Sequence, residues 1–136
     1  MVTKAVDYRM SATIDLPYDR AVERTREALA AEGFGVLSEI DVKGTLQKKL
    51  DVAFRPYVIL GACNPPLAHR ALSSEIDIGV LLPCNVVVYA ADDPGKSVVS
   101  AVNPEVSMST VENESLRPVA ADVKARLSRV LDSVQR

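Results

Sequence analysis

Hydrophobic and polar residues alternate over residues 6–14, with Val6, Tyr8, Met10, Ala12 and Ile14 on one parity. Successive strand side chains point to opposite faces, so this pattern predicts a half-buried strand. Asp15-Leu16-Pro17 stops it. Over 18–32 the period lengthens to that of a helix. Val22, Thr25, Ala28, Leu29 and Glu32 set out the amphipathic pattern, and Arg20, Glu23, Arg24, Arg26 and Glu27 fall outside it. Gly33 stands where a left-handed C-cap belongs. A second strand is predicted over 34–40. A short helix follows within 41–50, around Val42, Leu46 and Leu50, before Arg55-Pro56 breaks the pattern.

The segment Tyr57–Cys63 is apolar on both parities, as in a strand covered on both faces. Asn64-Pro65-Pro66 reads as a helix start: an Asn cap, then prolines in the first turn, where the missing N–H groups cost nothing. That helix is expected to run to about Ser74. Residues 80–89 are again apolar on both parities but interrupted by Pro83 and Asn85. Proline cannot donate to a ladder, so a bulge or a sheet edge is expected there. Asp92-Asp93-Pro94-Gly95 is a turn leading to a partnering strand over 96–102, which gives a hairpin. Asn103-Pro104 ends that strand, and 105–110 is a short helical or loop excursion. The clearest element is the last: Leu116, Val119, Ala120, Val123, Leu127, Val130, Leu131 and Val134 keep helical spacing.

These elements predict an α+β domain of two layers, a mainly antiparallel sheet with helices on one face. The 136 residues suffice for one domain, 1–136, with its own core. Aromatics make up only 4%, so that core must be built from Val, Leu, Ile and Ala. One difficulty follows: a single helical layer covers one face of the sheet, yet two strands are apolar on both. A second copy of the chain over the open face resolves it, and a twofold homodimer is the expectation.

Charge narrows the partners. A net charge of −2, with no basic cluster beyond Lys48-Lys49, gives no electrostatic reason to bind nucleic acid. No apolar run approaches the ~20 residues of a membrane span. The N-terminal residues lack the apolar stretch of an export signal, and with two cysteines the expectation is a reducing cytoplasm.

The chemistry that stands out is a pair of Cys-Asn dipeptides, Cys63-Asn64 and Cys84-Asn85. Cys63 ends a strand immediately before a helix start, where the macrodipole and free N–H groups favour a thiolate. It is the candidate for a reactive, catalytic thiol or a soft-metal ligand; the plain alternative is a small buried hydrophobe. Cys84 lies in an apolar strand beside Pro83, where packing is the simpler reading. If the two strands are neighbours, the thiols can converge, and Cys63, Asn64, Cys84 and Asn85 become the candidate ligand-binding set. Met108 is a third sulfur for a soft ion such as Cu(I), or else core filler. His69, the one histidine, falls off the apolar stripe of its helix and reads as a surface residue; with two cysteines it would leave a tetrahedral zinc site one ligand short. Glu39, Asp41, Glu75 and Asp77 border strand ends and read as solvated loop charges. Gly33-Phe34-Gly35 is no phosphate loop, having no third glycine and preceding a strand.

The segments Ile59-Leu60-Gly61-Ala62-Cys63-Asn64-Pro65-Pro66-Leu67-Ala68 and Gly79-Val80-Leu81-Leu82-Pro83-Cys84-Asn85-Val86-Val87-Val88 resemble the domain of unknown function 302, a family of small bacterial and archaeal proteins. The resemblance spans nearly the whole chain; one departure is a stretch over 105–113 poorer in Met. It implies a β-α-β4-α arrangement similar to half of a TATA-binding-protein saddle, assembled as a dimer. It implies no established activity, no cofactor and no catalytic residues. The functional expectation is therefore a small homodimeric binding module holding a soft metal, a sulfur species or a small ligand near Cys63 and Cys84. The alternatives are a thiol enzyme with Cys63 as nucleophile, or cysteines that only pack.

Overall fold

A computed structural model describes residues 7–136. Val6, the first residue of the expected first strand, and the segment read for an export signal lie outside the described residues. The elements are β1 (Arg9–Ile14), α1 (Tyr18–Ala31), β2 (Gly35–Asp41), α2 (Val42–Leu50), β3 (Tyr57–Cys63), α3 (Pro65–Ser74), a 3-10 segment (Ile76–Leu81), β4 (Cys84–Ala90), β5 (Ser97–Val102), α4 (Pro104–Ser107) and α5 (Leu116–Val134).

The strands form one antiparallel sheet in the order β1-β5-β4-β3-β2. Its pleat divides the side chains in two. Met10, Ala12, Ile14, Val58, Leu60, Ala62, Cys84, Val86, Val88, Val99 and Ala101 are buried beneath the helices. Their neighbours along each strand (Tyr57, Ile59, Val87, Tyr89, Val98 and Val102) are only partly buried, on the face the helices leave open. This is the α+β layering expected from the sequence. The apolar stripe of α5 is the one its spacing predicts, from Leu116 to Val134. Against it α1 sets Ala21, Ala28 and Leu29, with Thr25 buried and its hydroxyl bonded back to the Ala21 carbonyl at 2.7 Å.

The punctuation of the chain is also as read. Gly33 takes a positive φ of 85°, and the amides of Gly33 and Phe34 return to the carbonyls of Ala30 and Leu29, closing α1 with a Schellman turn. Asn64 Oδ1 caps α3 by accepting from the Leu67 amide at 3.3 Å, whereas Asp41, read as a solvated loop charge, instead caps α2 by accepting from the Gly44 amide.

One boundary is corrected. Residues 80–82 are not strand: the chain winds as a 3-10 segment to Leu81, with Val80 85% exposed, and β4 begins only at Cys84. Nor does Pro83 make a bulge or an edge. It stands just before the first β3–β4 pair, Ala62 with Cys84, so no ladder position needs its missing N–H, and β4 is central in the sheet. The irregularity lies instead in β2, between Val36 and Ser38. Apolar composition could not place this boundary, because a 3-10 turn and a strand both accept Val-Leu-Leu.

Candidate functional site

The candidate residues gather where β3 ends and β4 begins. β3 and β4 are hydrogen-bonded neighbours, and the partner of Cys84 is Ala62, one residue short of Cys63. The two cysteines are thus on adjacent strands and one position out of register. Both are free thiols. Beyond Cys63 the chain turns at once into α3, so the strand end, the helix start and the turn before β4 meet in one place.

They enclose a narrow apolar cleft of about 30 Å³. Cys63, Asn64, Cys84 and Met108 line it, among aliphatic groups of α3 and α5 and the ring of Phe34. Asn64 is 8% exposed and Met108 6%. Asn64 is held by capping α3, and its amide nitrogen lies so close to Gly33 that a Cβ there would stand 3.0 Å from it. Met108 is held by the turn after α4, its amide bonded to Pro104 and its carbonyl to the amide of Val111. Burial pushes the Cys84 thiol up to about 11, with a smaller contribution from the charge of Cys63. Cys84 is therefore a neutral thiol near pH 7, as an apolar environment requires.

The remaining candidates fall elsewhere. Asn85 lies opposite Gly61 in the β3–β4 ladder, is exposed, and does not line the cleft. His69 is exposed on α3. Glu39 pairs with Arg26, Asp41 caps α2, and Glu75 accepts from the Asn113 side chain, so each of these carboxylates has a structural partner. Among the described residues no group of three His, Cys, Asp or Glu side chains is placed to hold a metal ion. No helix of the described residues is long and apolar enough to cross a membrane.

Two features were missed by reasoning on sequence. Gly61 is a point of close approach: an added Cβ would collide with Ser38 Oγ and sit 2.9 Å from Pro83 Cγ. A lone glycine in a strand of bulky residues was the available signal. The second is an aromatic row on the open face, where Tyr57 and Tyr89 stack with centroids 5.2 Å apart and Phe54 lies 6.2 Å from Tyr57. Tyr57 and Tyr89 are also directly paired in the ladder, which only the register reveals.

A family model described as domain of unknown function DUF302 matches residues 10–134. Among solved structures, an uncharacterized conserved DUF302 protein from Bacillus stearothermophilus is similar at 33% identity and a TM-score of 0.86, over 93% of this chain and 98% of that one. No curated protein matches the chain. The family match runs from the second residue of β1 to the last of α5, so it takes in the whole sheet and the cleft between its Cys-Asn segments. The chain belongs to the DUF302 family.

Proposed function

We propose that the chain is a homodimeric binding module whose cleft takes one small soft species: a metal ion, a sulfur atom or a ligand of similar size. The observation that carries this reading is the convergence of Cys63, Asn64, Cys84 and Met108 on a single apolar cleft. Residues distant in sequence line it: Cys63 from the end of β3, Cys84 from the start of β4 and Met108 from the turn after α4. A cavity of about 30 Å³ is of the order of one water molecule's share of liquid volume, too small for an organic cofactor. Native mass spectrometry of reduced protein exposed in turn to Cu(I), Zn(II) and inorganic polysulfide tests it. The expected result is retention of one of the three at one equivalent per chain, lost in Cys63→Ser and in Cys84→Ser. Retention of none overturns the reading.

The second copy is proposed for the open face of the sheet. Tyr57, Ile59, Val87, Tyr89, Val98 and Val102 form its partly buried apolar centre, with Arg9, Arg55 and Asn85 around it. Five strands about 4.8 Å apart and about 20 Å long project roughly 500 Å², before side-chain relief is counted. That is the order of the roughly 800 Å² each partner contributes to a standard interface. Light scattering of the purified chain should give twice the chain mass, and Ile59→Lys should return the monomer. A monomer at every concentration would remove the assembly from the proposal and leave the cleft untouched.

A thiol-dependent enzyme is the second reading, favoured by one contrast: Cys63 is partly exposed whereas Cys84 is buried. Alkylation of Cys63 no faster than a free thiol at neutral pH would dispose of it.

A further inference from the structure

The connection from β2 to β3 lacks cover from its own chain. Antiparallel neighbours need only a two-residue turn, yet here residues 42–56 intervene, with α2 among them. None of the nine residues of α2 is buried, and none in β2 is either. Helices shorter than about 12–15 residues are marginal in water unless a face is packed. This one also contains Gly44, and glycine is among the poorest helix formers. Its ends are satisfied, by Asp41 on the Gly44 amide and by Asp51 in a left-handed conformation, but caps do not cover the sides. The large exposed hydrophobics concentrate in the same stretch. Among the described residues none lies on α1, α3 or α5. Apart from Tyr8 and the 3-10 segment, they are Leu37, Ile40, Leu50, Val52 and Phe54.

Resting on the homodimer reading above, we propose that a second copy of the chain covers this arm: Leu50, Val52 and Phe54 of each copy pack against the other and carry the contact beyond the sheet. Three observations choose a second copy as the occupant. The first is continuity with the open face. Phe54 lies 6.2 Å from the Tyr57 ring, Arg55 sits over the Tyr89 ring, and Ile40 is the ladder partner of Ile59. The arm and the apolar centre of the sheet are thus one surface. The second is area. The sheet face projects roughly 500 Å², short of the roughly 800 Å² that each partner of a standard interface buries. Leu50, Val52 and Phe54, at 65%, 45% and 42% exposed, are the apolar surface beside it that can make up the difference. The third is charge. A twofold contact sets a patch against its own copy, so unpaired like charges would repel. Arg9 and Arg55, at the edge of the apolar centre, are already neutralised by Asp7 and Asp92. Aromatic side chains and arginine are also the residues that dominate protein–protein contacts.

The test is sedimentation velocity of the full, reduced chain over a concentration series, joined to backbone hydrogen exchange above and below the dissociation constant. The triple variant Leu50→Ser, Val52→Ser, Phe54→Ser should weaken the dimer by about tenfold or more. Its denaturation midpoint in dilute solution should stay near wild type, because all three side chains are exposed in the single chain. The second measurement needs no substitution. The amides of Asp51 and Val52 bond to the carbonyls of Gln47 and Leu46, and they report on α2 directly. In the wild-type chain they should exchange about tenfold or more slowly in the dimer than in the monomer, because the partner supplies the packing that α2 lacks. A dissociation constant unchanged in the triple variant, or α2 amides that exchange equally fast in monomer and dimer, would overturn the arm contact and leave the homodimer standing. A wild-type chain that is monomeric at every concentration would take down both.

Discussion

The two faces of the sheet are built from the same kinds of residue and live in different surroundings. Along β3 and β4, Leu60, Val86 and Val88 are fully buried under α1 and α5. One residue away, Ile59, Val87, Tyr57 and Tyr89 are partly exposed. The helix-covered face gets its burial from within the chain. The open face carries an apolar centre that an isolated chain leaves wet, and it invests instead in pairing: Tyr57 on Tyr89, Arg55 over the Tyr89 ring at 5.9 Å, and a Ser11–Ser100 hydroxyl contact of 2.5 Å. Burial therefore follows from what lies opposite a residue, and hydrophobicity alone does not report it. The cleft sits at the end of these two strands, where the turn into α3 and the turn before β4 bring Cys63 and Cys84 to its lining, one residue out of register and so on alternate sides of the pleat.

Substitution separates the faces most sharply at their centres. Leu60→Ala on the covered side should cost about 2–5 kcal/mol in chemical denaturation, because the transfer loss and a cavity add. The same change at Ile59 should cost about 1 kcal/mol in a dilute chain and grow with protein concentration if the open face is an interface. Equal costs at both positions would erase the contrast.

Two changes probe the border between the faces. Gly61→Ala should cost about 1–3 kcal/mol, since a Cβ there meets Ser38 and Pro83. Ser38→Ala combined with it should restore part of the loss, and a strictly additive double variant would show that the crowding is elsewhere. Cys84 gives a pH signature in the metal-free chain. Its thiol is raised from 9.0 to about 11, so the unfolded chain ionises first as pH rises. The stability this contributes is whole below about pH 9 and is lost by about pH 11, roughly 2–3 kcal/mol across that window. Denaturation midpoints from pH 8 to 11 should show the decline, and Cys84→Ala should flatten that portion of it. The smallest effect is expected on the open face at β1: Ser11→Ala removes one hydroxyl contact, about 1 kcal/mol or less in the same assay.

Much of this molecule is legible from local signals. The eight apolar positions of α5, the Gly33 turn and the Asn64 cap all declare themselves, because helix period, positive φ and capping are set by residues close in sequence. Two apolar parities in Tyr57–Cys63 and in the segment around β4 were enough to expose the problem of the second face. Tertiary structure alone decided the rest. It ended the apparent strand over 80–89 at a 3-10 segment, because backbone hydrogen bonding and not apolar composition draws that boundary. It set Ala62, and not Cys63, opposite Cys84, and it left Asn85 outside the cleft while bringing Met108 in. Strand register and the path of a turn are fixed by contacts between distant segments, so no count along the chain could place Cys63, Cys84 and Met108 along one small cleft.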